Sequence, residues 1–282
     1  LGDVYKRQTL ARLFAACSMC CGVSPVFAKD LPERIAKSGR LVIGTYPNYP
    51  PITYKQPYSM KLSGFDIDLG EAIAHELGVR AEWNEIGFAQ MLPSLKTGRI
   101  DMILAFMADT EKRRELFDFV DYLTSEAVVT VRSDDATNAE LAMLCGKRIG
   151  AGRAGTWPGD LAKWSLEHCE AEGRPAIIVI GTEGSFDARM QLKMGRLDAA
   201  VHGSETLSYF EKLDPGLYVP IGSPFARRHV GIPFLKTEEG AALRDAVKAA
   251  LDRLKANGTY EAIIAKYGVE TGALETITIN GQ

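Results

Sequence analysis

Gly150, Gly152 and Gly155 stand as G-x-G-x-x-G between a strand-like run at Arg148 to Ala151 and a helix-like stretch from Pro158. Glycines in that order let a backbone approach a phosphate or another small anion closely. A dinucleotide site would also carry an acid about 20 residues further on, whereas Glu183 lies 28 residues past Gly155. The glycines are therefore read as a close backbone approach to a small ligand, with Arg153 and Trp157 at the rim of its cleft. The four histidines, His75, His168, His202 and His229, lack metal-ligand spacing, and Cys145 and Cys169 do not form a C-x-x-C pair. Neither a metal nor a cofactor is expected. His202 closes an apolar run and is taken as a residue that faces the ligand.

The elements that must position these residues follow from a repeat. Leu95-Lys96-Thr97-Gly98-Arg99-Ile100-Asp101-Met102 returns 97 positions later as Leu192-Lys193-Met194-Gly195-Arg196-Leu197-Asp198-Ala199. Each copy stops a helix-like pattern at a glycine, where a left-handed cap meets no Cβ clash, and then begins a strand. Arg99 and Arg196 are expected in solvent, and Asp101 and Asp198 at strand starts. Ligands in open parallel α/β sheets sit beyond the carboxyl ends of strands. The stretches after the two copies, 105–113 and 202–205, are thus the expected lips of a cleft.

Around the first copy the pattern is β-α-β-α-β. Arg40 to Thr45 is a strand, and Tyr46 to Pro51 is too proline-rich for helix or ladder. Gly64-Phe65-Asp66 offers a helix cap, followed by Leu69, Ile73 and Leu77 at helical spacing. Val79 to Ile86 is a second strand, Phe88 to Thr97 a helix and Ile100 to Leu104 a third strand. The plan restarts after the polar stretch 133–138, with strands at Arg148, Ala176 and Leu197 and helices between them. Extended segments near Val131 and Phe225 make two crossings, and the last helices, through Leu243, Val247, Leu251 and Leu254 and then Tyr260 to Tyr267, return to the first lobe. The expected fold is α/β and two-lobed, each lobe a central sheet flanked by helices, with a two-segment hinge. Residues 29–131 and 227–282 form lobe one, and 132–226 form lobe two.

The 282 residues carry a net charge of −3, without a concentrated basic face, so nucleic acid is not an expected partner. Lys6, Arg7 and Arg12 precede an apolar run from Leu13 to Val23, and Val26-Phe27-Ala28 supplies small residues for a signal peptidase. Residues 1–28 are read as an export signal cut after Ala28, which implies a periplasmic protein. Residues 1–8 carry no weight in that reading, because the chain opens on Leu1. Removal of the signal would leave Cys145 and Cys169. A helix packed back on its strand returns its end to the strand's start, which brings these cysteines together. A disulfide closing that loop would contribute roughly 3 kcal/mol.

Two α/β lobes, a double crossover and an export signal resemble the periplasmic solute-binding proteins of ABC transporters, in particular family 3 of the bacterial extracellular solute-binding proteins, the polar amino acid branch. The residues that carry the resemblance are Leu41-Val42-Ile43-Gly44-Thr45 with Tyr49-Pro50-Pro51, Gly64 to Leu69, Leu95 to Asp101, Thr110-Glu111-Lys112-Arg113, Gly195 to Ala199 and Asn257-Gly258-Thr259-Tyr260. The resemblance implies the type II periplasmic-binding-protein fold. It also implies a monomer that is not an enzyme, takes a small carboxylate-bearing solute between its lobes and hands it to an inner-membrane ABC permease. Arg113 falls where the family grips the ligand carboxylate, a role suited to a planar fork that donates two parallel hydrogen bonds. Tyr49 and Phe88 fall on its aromatic walls, and Thr156, at a helix N-terminus, on its second carboxylate donor.

Departures from the family accompany these matches. Its small hydroxyl residues become Ala105, Phe106 and Ala108. The acids that would pair with a ligand ammonium become Tyr46 and Gly203. Either Glu183 or Glu205 substitutes for them, or the ligand has no α-amino group. The same scaffold hosts exported cyclohexadienyl dehydratases, which remove water and carbon dioxide from a carboxylated ring. Such an enzyme, with Glu183 or Glu205 as general acid, is the alternative.

Overall fold

The computed structural model describes residues 31–136 and 140–282; the expected export signal, residues 1–28, lies outside them. Lobe one opens with a short helix that the sequence pattern did not suggest, α1 (Glu33–Ser38), closed by Gly39 at φ 63°. Strand β1 (Arg40–Thr45) follows, then a small antiparallel sheet of β2 (Asn48–Tyr49), β3 (Thr53–Lys55) and β4 (Leu62–Ser63). Of the prolines expected to forbid a ladder here, Pro47 precedes β2 and Pro50 and Pro51 lie in the turn between β2 and β3, so Tyr49 still pairs with Thr53. Next come α2 (Phe65–Glu76), β5 (Arg80–Glu85), a 3-10 turn at Phe88–Gln90 running into α3 (Met91–Lys96), and β6 (Met102–Ile103). Sheet order is β5-β1-β6, all parallel, as a β-α-β-α-β plan requires.

A single helical turn, α4 (Glu111–Arg114), is capped by the Thr110 side chain, which accepts a hydrogen bond from the Arg113 amide. The chain then extends through the 16-residue strand β7 (Phe117–Arg132). In lobe two, β8 (Arg148–Gly152), α5 (Trp157–His168), β9 (Ile178–Thr182), α6 (Ser185–Lys193) and β10 (Ala199–Gly203) repeat the first lobe's plan, with β9, β8 and β10 parallel. After α7 (Leu207–Leu213) comes the 18-residue strand β11 (Tyr218–Leu235), which runs antiparallel to β7 with a register break between Ile221 and Ala226. The two short extended segments expected near Val131 and Phe225 are thus parts of two long paired strands that pass through both lobes.

Helices α8 (Glu238–Ala256) and α9 (Thr259–Tyr267) and strand β12 (Ala273–Ile279) complete lobe one. Thr237 caps α8 through the Gly240 amide, and Leu243, Val247, Ala250, Leu251 and Leu254 line its buried face at helical spacing. That face meets Ile35, Leu41, Ile43, Phe65, Leu69 and Tyr122 in one core, so the lobe is built from both ends of the chain. A separate core of Ile149, Ala151, Leu161, Cys169 and Val201 fills lobe two. Cys145 and Cys169 are joined by a disulfide that closes the loop holding β8 and α5.

The two copies of the repeat are used alike. Asp101 accepts the Val42 amide at 2.8 Å, and Asp198 accepts the Arg148 amide at 2.8 Å, so each aspartate ties its unit to the neighbouring parallel strand. Arg99 and Arg196 are exposed. Among the described residues no helix is long and apolar enough to cross a membrane.

Candidate functional site

Between the lobes lies a cleft of about 570 Å³, within the size range of small-molecule sites. Lobe one lines it with Tyr46, Asn48, Tyr49, Phe88, Ala105, Phe106, Ala108 and Arg113; lobe two lines it with Gly152 to Trp157 and Thr182 to Ser185. Ser125 of β7, with Arg228 and Val230 of β11, lines it from the long strands.

Arg113 stands out from its neighbour. Arg114 is committed to Asp109 through two hydrogen bonds of 2.6 and 2.7 Å. The half-buried Arg113 guanidinium donates to the Ala108 carbonyl at 2.5 Å and forms no ion pair among the described residues. Burial lowers its pKa, with Asp109 opposing and Arg228 adding to the shift. It remains a cation at any physiological pH. An unpaired guanidinium on a cleft wall is suited to a carboxylate from solution.

The aromatic wall rests on buried acids. The rings of Tyr49 and Phe106 lie 5.4 Å apart. Phe106 takes a left-handed backbone, φ 51°, uncommon for a bulky side chain, and its amide donates to Asp66 at 2.9 Å. The other Asp66 oxygen accepts the Tyr122 hydroxyl at 2.8 Å, and burial raises this carboxyl to about 7 despite both bonds. Asp66 was expected to help cap α2. Gly64 occupies that capping position instead, without a side-chain bond, and the aspartate is turned inward beneath the cleft wall.

Glu205 lies behind the wall on the lobe-two side. Its carboxyl accepts the Tyr49 hydroxyl at 2.5 Å and the Ser125 hydroxyl at 2.8 Å, and burial raises it to about 7. A Cβ on Gly203 would fall 1.9 Å from the same carboxyl and 2.5 Å from the Tyr49 hydroxyl. Gly203 and Glu205 therefore sit together under Tyr49 rather than on the open cleft surface.

Thr156 and Trp157 reach the cleft at the N-terminus of α5, and the Thr156 side chain makes no capping bond. Of the three glycines, Gly152 and Gly155 line the cleft, while Gly150 lies under Leu197 in the sheet, where a Cβ would approach to 2.4 Å. Arg153 and Glu183 form an exposed pair at 2.9 Å on the rim.

His202 corrects an expectation. It shares a face of β10 with the buried Ala200, since side chains alternate along a strand, and packs edge-on against Phe210 with ring centroids 5.0 Å apart. Burial and the nearby Arg189 hold it neutral, its pKa lowered to about 3. It borders a separate cavity with Thr130 and Tyr218, away from the cleft.

Four contributors were not singled out from the sequence. Asn48 donates to the Glu183 carbonyl at 2.8 Å, and Arg228 pairs with Asp160 of α5, so both join cleft walls. Ser125 and Asp66 support Glu205 and Phe106. Asp66 lies inside the Gly64 to Leu69 motif, which is the one signal that pointed at it.

A family model described as bacterial extracellular solute-binding proteins, family 3, matches residues 41–270. The chain belongs to that family. It is 34% identical over 252 residues to the L-arginine-binding protein of Pseudomonas aeruginosa, covering 86% of this chain and 90% of the relative. It is 31% identical over 233 residues to the histidine-binding periplasmic protein of Escherichia coli K12, covering 80% and 86%. Among solved structures, an ancestral amino acid-binding protein described as a precursor of cyclohexadienyl dehydratase is similar at a TM-score of 0.71 and 27% identity, covering 83% of this chain and 97% of the other. The two-lobed type II architecture described above is that of these solute-binding proteins.

Proposed function

We propose that this solute-binding protein captures one small carboxylate-bearing solute, an amino acid or a close analogue, between its lobes and presents the closed form to an inner-membrane ABC permease. The observation that carries the reading is Arg113, a guanidinium on the wall of an interlobe cleft with no ion pair among the described residues. The ligand carboxylate takes its two free donor edges, and Thr156 with the first amides of α5 adds donors from lobe two. Tyr46, Tyr49, Phe88 and Phe106 hold the ligand body, and Ala105, Gly203 and the Arg153–Glu183 pair bound the space around it. Lobe one comprises 29–131 and 227–282, lobe two 132–226. Closure turns about β7 and β11 where their register breaks, and Asn48 to Glu183 and Arg228 to Asp160 are contacts made only when the lobes meet. The periplasmic histidine-binding relative supports a periplasmic location, to which we add cleavage near Ala28 and a monomeric state.

A thermal-shift screen of amino acids, hydroxy acids and aromatic acids tests this, since a ligand selective for the folded state raises the melting temperature. At least one carboxylate gives a saturable rise. A flat response across all of them contradicts the reading.

The dehydratase-like alternative draws on Glu205, whose carboxyl, raised to about 7, lies behind Tyr49 and would reach a substrate only through that hydroxyl. Incubation with prephenate or arogenate decides it: product formation would replace capture with turnover.

A further inference from the structure

We infer that the cleft selects a carboxylate whose α-carbon carries no ammonium: an anion with an apolar body, not a zwitterionic or cationic amino acid. This rests on the solute-binding reading of the cleft and on Arg113 as its carboxylate donor.

The charge balance of the walls carries the argument. The charged side chains that line the cleft are Arg113, Arg153, Arg228 and Glu183. Arg228 is paired with the half-buried Asp160, and Glu183 stands with Arg153 on the exposed rim rather than inside the cleft. Among the described residues that line the cleft, Arg113 is the arginine with no ion pair. An anion completes this balance. An ammonium would enter a cleft that offers no free inward carboxylate among the described residues, and a buried charge without a partner is strongly disfavoured.

Glu205 does not supply the missing acid. Tyr49 and Ser125 both face the cleft, and both give their hydroxyl hydrogens to Glu205, one to each oxygen. The Tyr49 hydroxyl covers one oxygen of that carboxyl, and the Tyr49 ring lies 5.4 Å from that of Phe106. Gly203 reports the same geometry from the other side, because its missing side chain is the space that Glu205 and Tyr49 fill. A carboxylate at position 203 would displace this arrangement. On the lobe-one lip, Ala105 and Ala108 carry only methyl groups, and the Tyr46 hydroxyl already accepts from the Asn48 side chain. Tyr46, Phe88, Phe106 and Trp157 together form an apolar enclosure for the rest of the ligand.

Calorimetric titration of the purified protein with matched sets separates the possibilities. Each set shares one skeleton: phenylalanine, 3-phenyllactate and 3-phenylpropanoate; leucine, 2-hydroxy-4-methylpentanoate and 4-methylpentanoate; arginine and 5-guanidinopentanoate. In the best-binding set, the members without nitrogen on the α-carbon bind at least about tenfold more tightly than the amino acid. Tyr46→Asp, which adds an acid to the lip, reduces that preference at least about tenfold. If the amino acid binds as tightly as its analogues or more so, and Arg113→Ala weakens every member, the inference falls while the solute-binding reading stands. If no member of any set binds, both fall.

Discussion

After β6 the chain turns into the cleft, and Ala108 and Arg113 reach its wall within ten residues of Ile103. After β10, reached through the same helix, glycine stop and aspartate tie, the chain turns beneath the cleft instead, and Glu205 ends up buried behind Tyr49. One repeated scaffold thus delivers a side-chain surface on one lobe and a supporting layer on the other. Lobe two compensates with backbone, through Gly152, Gly155 and the N-terminus of α5, and it alone carries a disulfide among the described residues. The lesson is that the repeat specifies where a loop begins and not which way it faces. Direction is set by what the loop finds: a left-handed Phe106 held by Asp66 in one case, and a void at Gly203 filled by a carboxyl in the other.

The largest effect should come from the covalent difference between the lobes. Cys145→Ser with Cys169→Ser removes a closed loop from lobe two and should lower stability by about 3 kcal/mol, or the melting temperature by roughly 6–12 °C. Differential scanning calorimetry under oxidising conditions checks this, and an unchanged melting temperature would show that lobe two does not depend on its staple.

The supporting layer should reveal itself through pH. Glu205 is raised to about 7 in the folded protein, above its ordinary 4.5, so the folded state holds the proton more tightly. Stability should then fall as pH rises between those values and level off above about 7, by on the order of 3 kcal/mol for this group. Glu205→Gln, which cannot ionise, should make the decline in urea midpoint between pH 5 and pH 8 shallower, leaving the share from Asp66, whose carboxyl is also raised to about 7. Equal slopes for both proteins would mean that burying this carboxylate carries no penalty, and the contrast between the lips would lose its physical basis.

The fold was readable because its signals are local. Gly98 and Gly195 stop helices, and apolar residues at helical spacing mark the buried face of α8. The disulfide followed from chain geometry, and the places of Arg113 and Thr156 on the cleft wall from motif position. What sequence did not convey is long-range. His202 looked ligand-facing because it ends a strand, yet strand alternation turns it onto the face packed by Phe210. Asp66 meets Phe106 across 40 residues and Arg228 meets Asp160 across 68, and neither pairing leaves a periodic trace. The length of β7 and β11 was also hidden, since a strand that passes from one core to another changes its burial pattern midway.

Two arginine substitutions then sharpen the distinction between a free and a spent cation. Arg113→Ala should weaken the best ligand by about 100-fold, the loss of a charge-assisted bidentate contact. Arg153→Ala should change affinity by less than about threefold, because an exposed pair with Glu183 contributes little. Titration calorimetry of both variants against one ligand measures the difference, and comparable losses would erase it.

The most direct test is a crystal structure of the protein with the tightest carboxylate from the screen. The account predicts that the carboxylate lies across the Arg113 guanidinium, with Thr156 and the first amides of α5 as its other donors and the ligand body between Tyr46, Phe88 and Phe106. A carboxylate bound at Arg153 or Arg228, with Arg113 still engaged only with the Ala108 carbonyl, would contradict it.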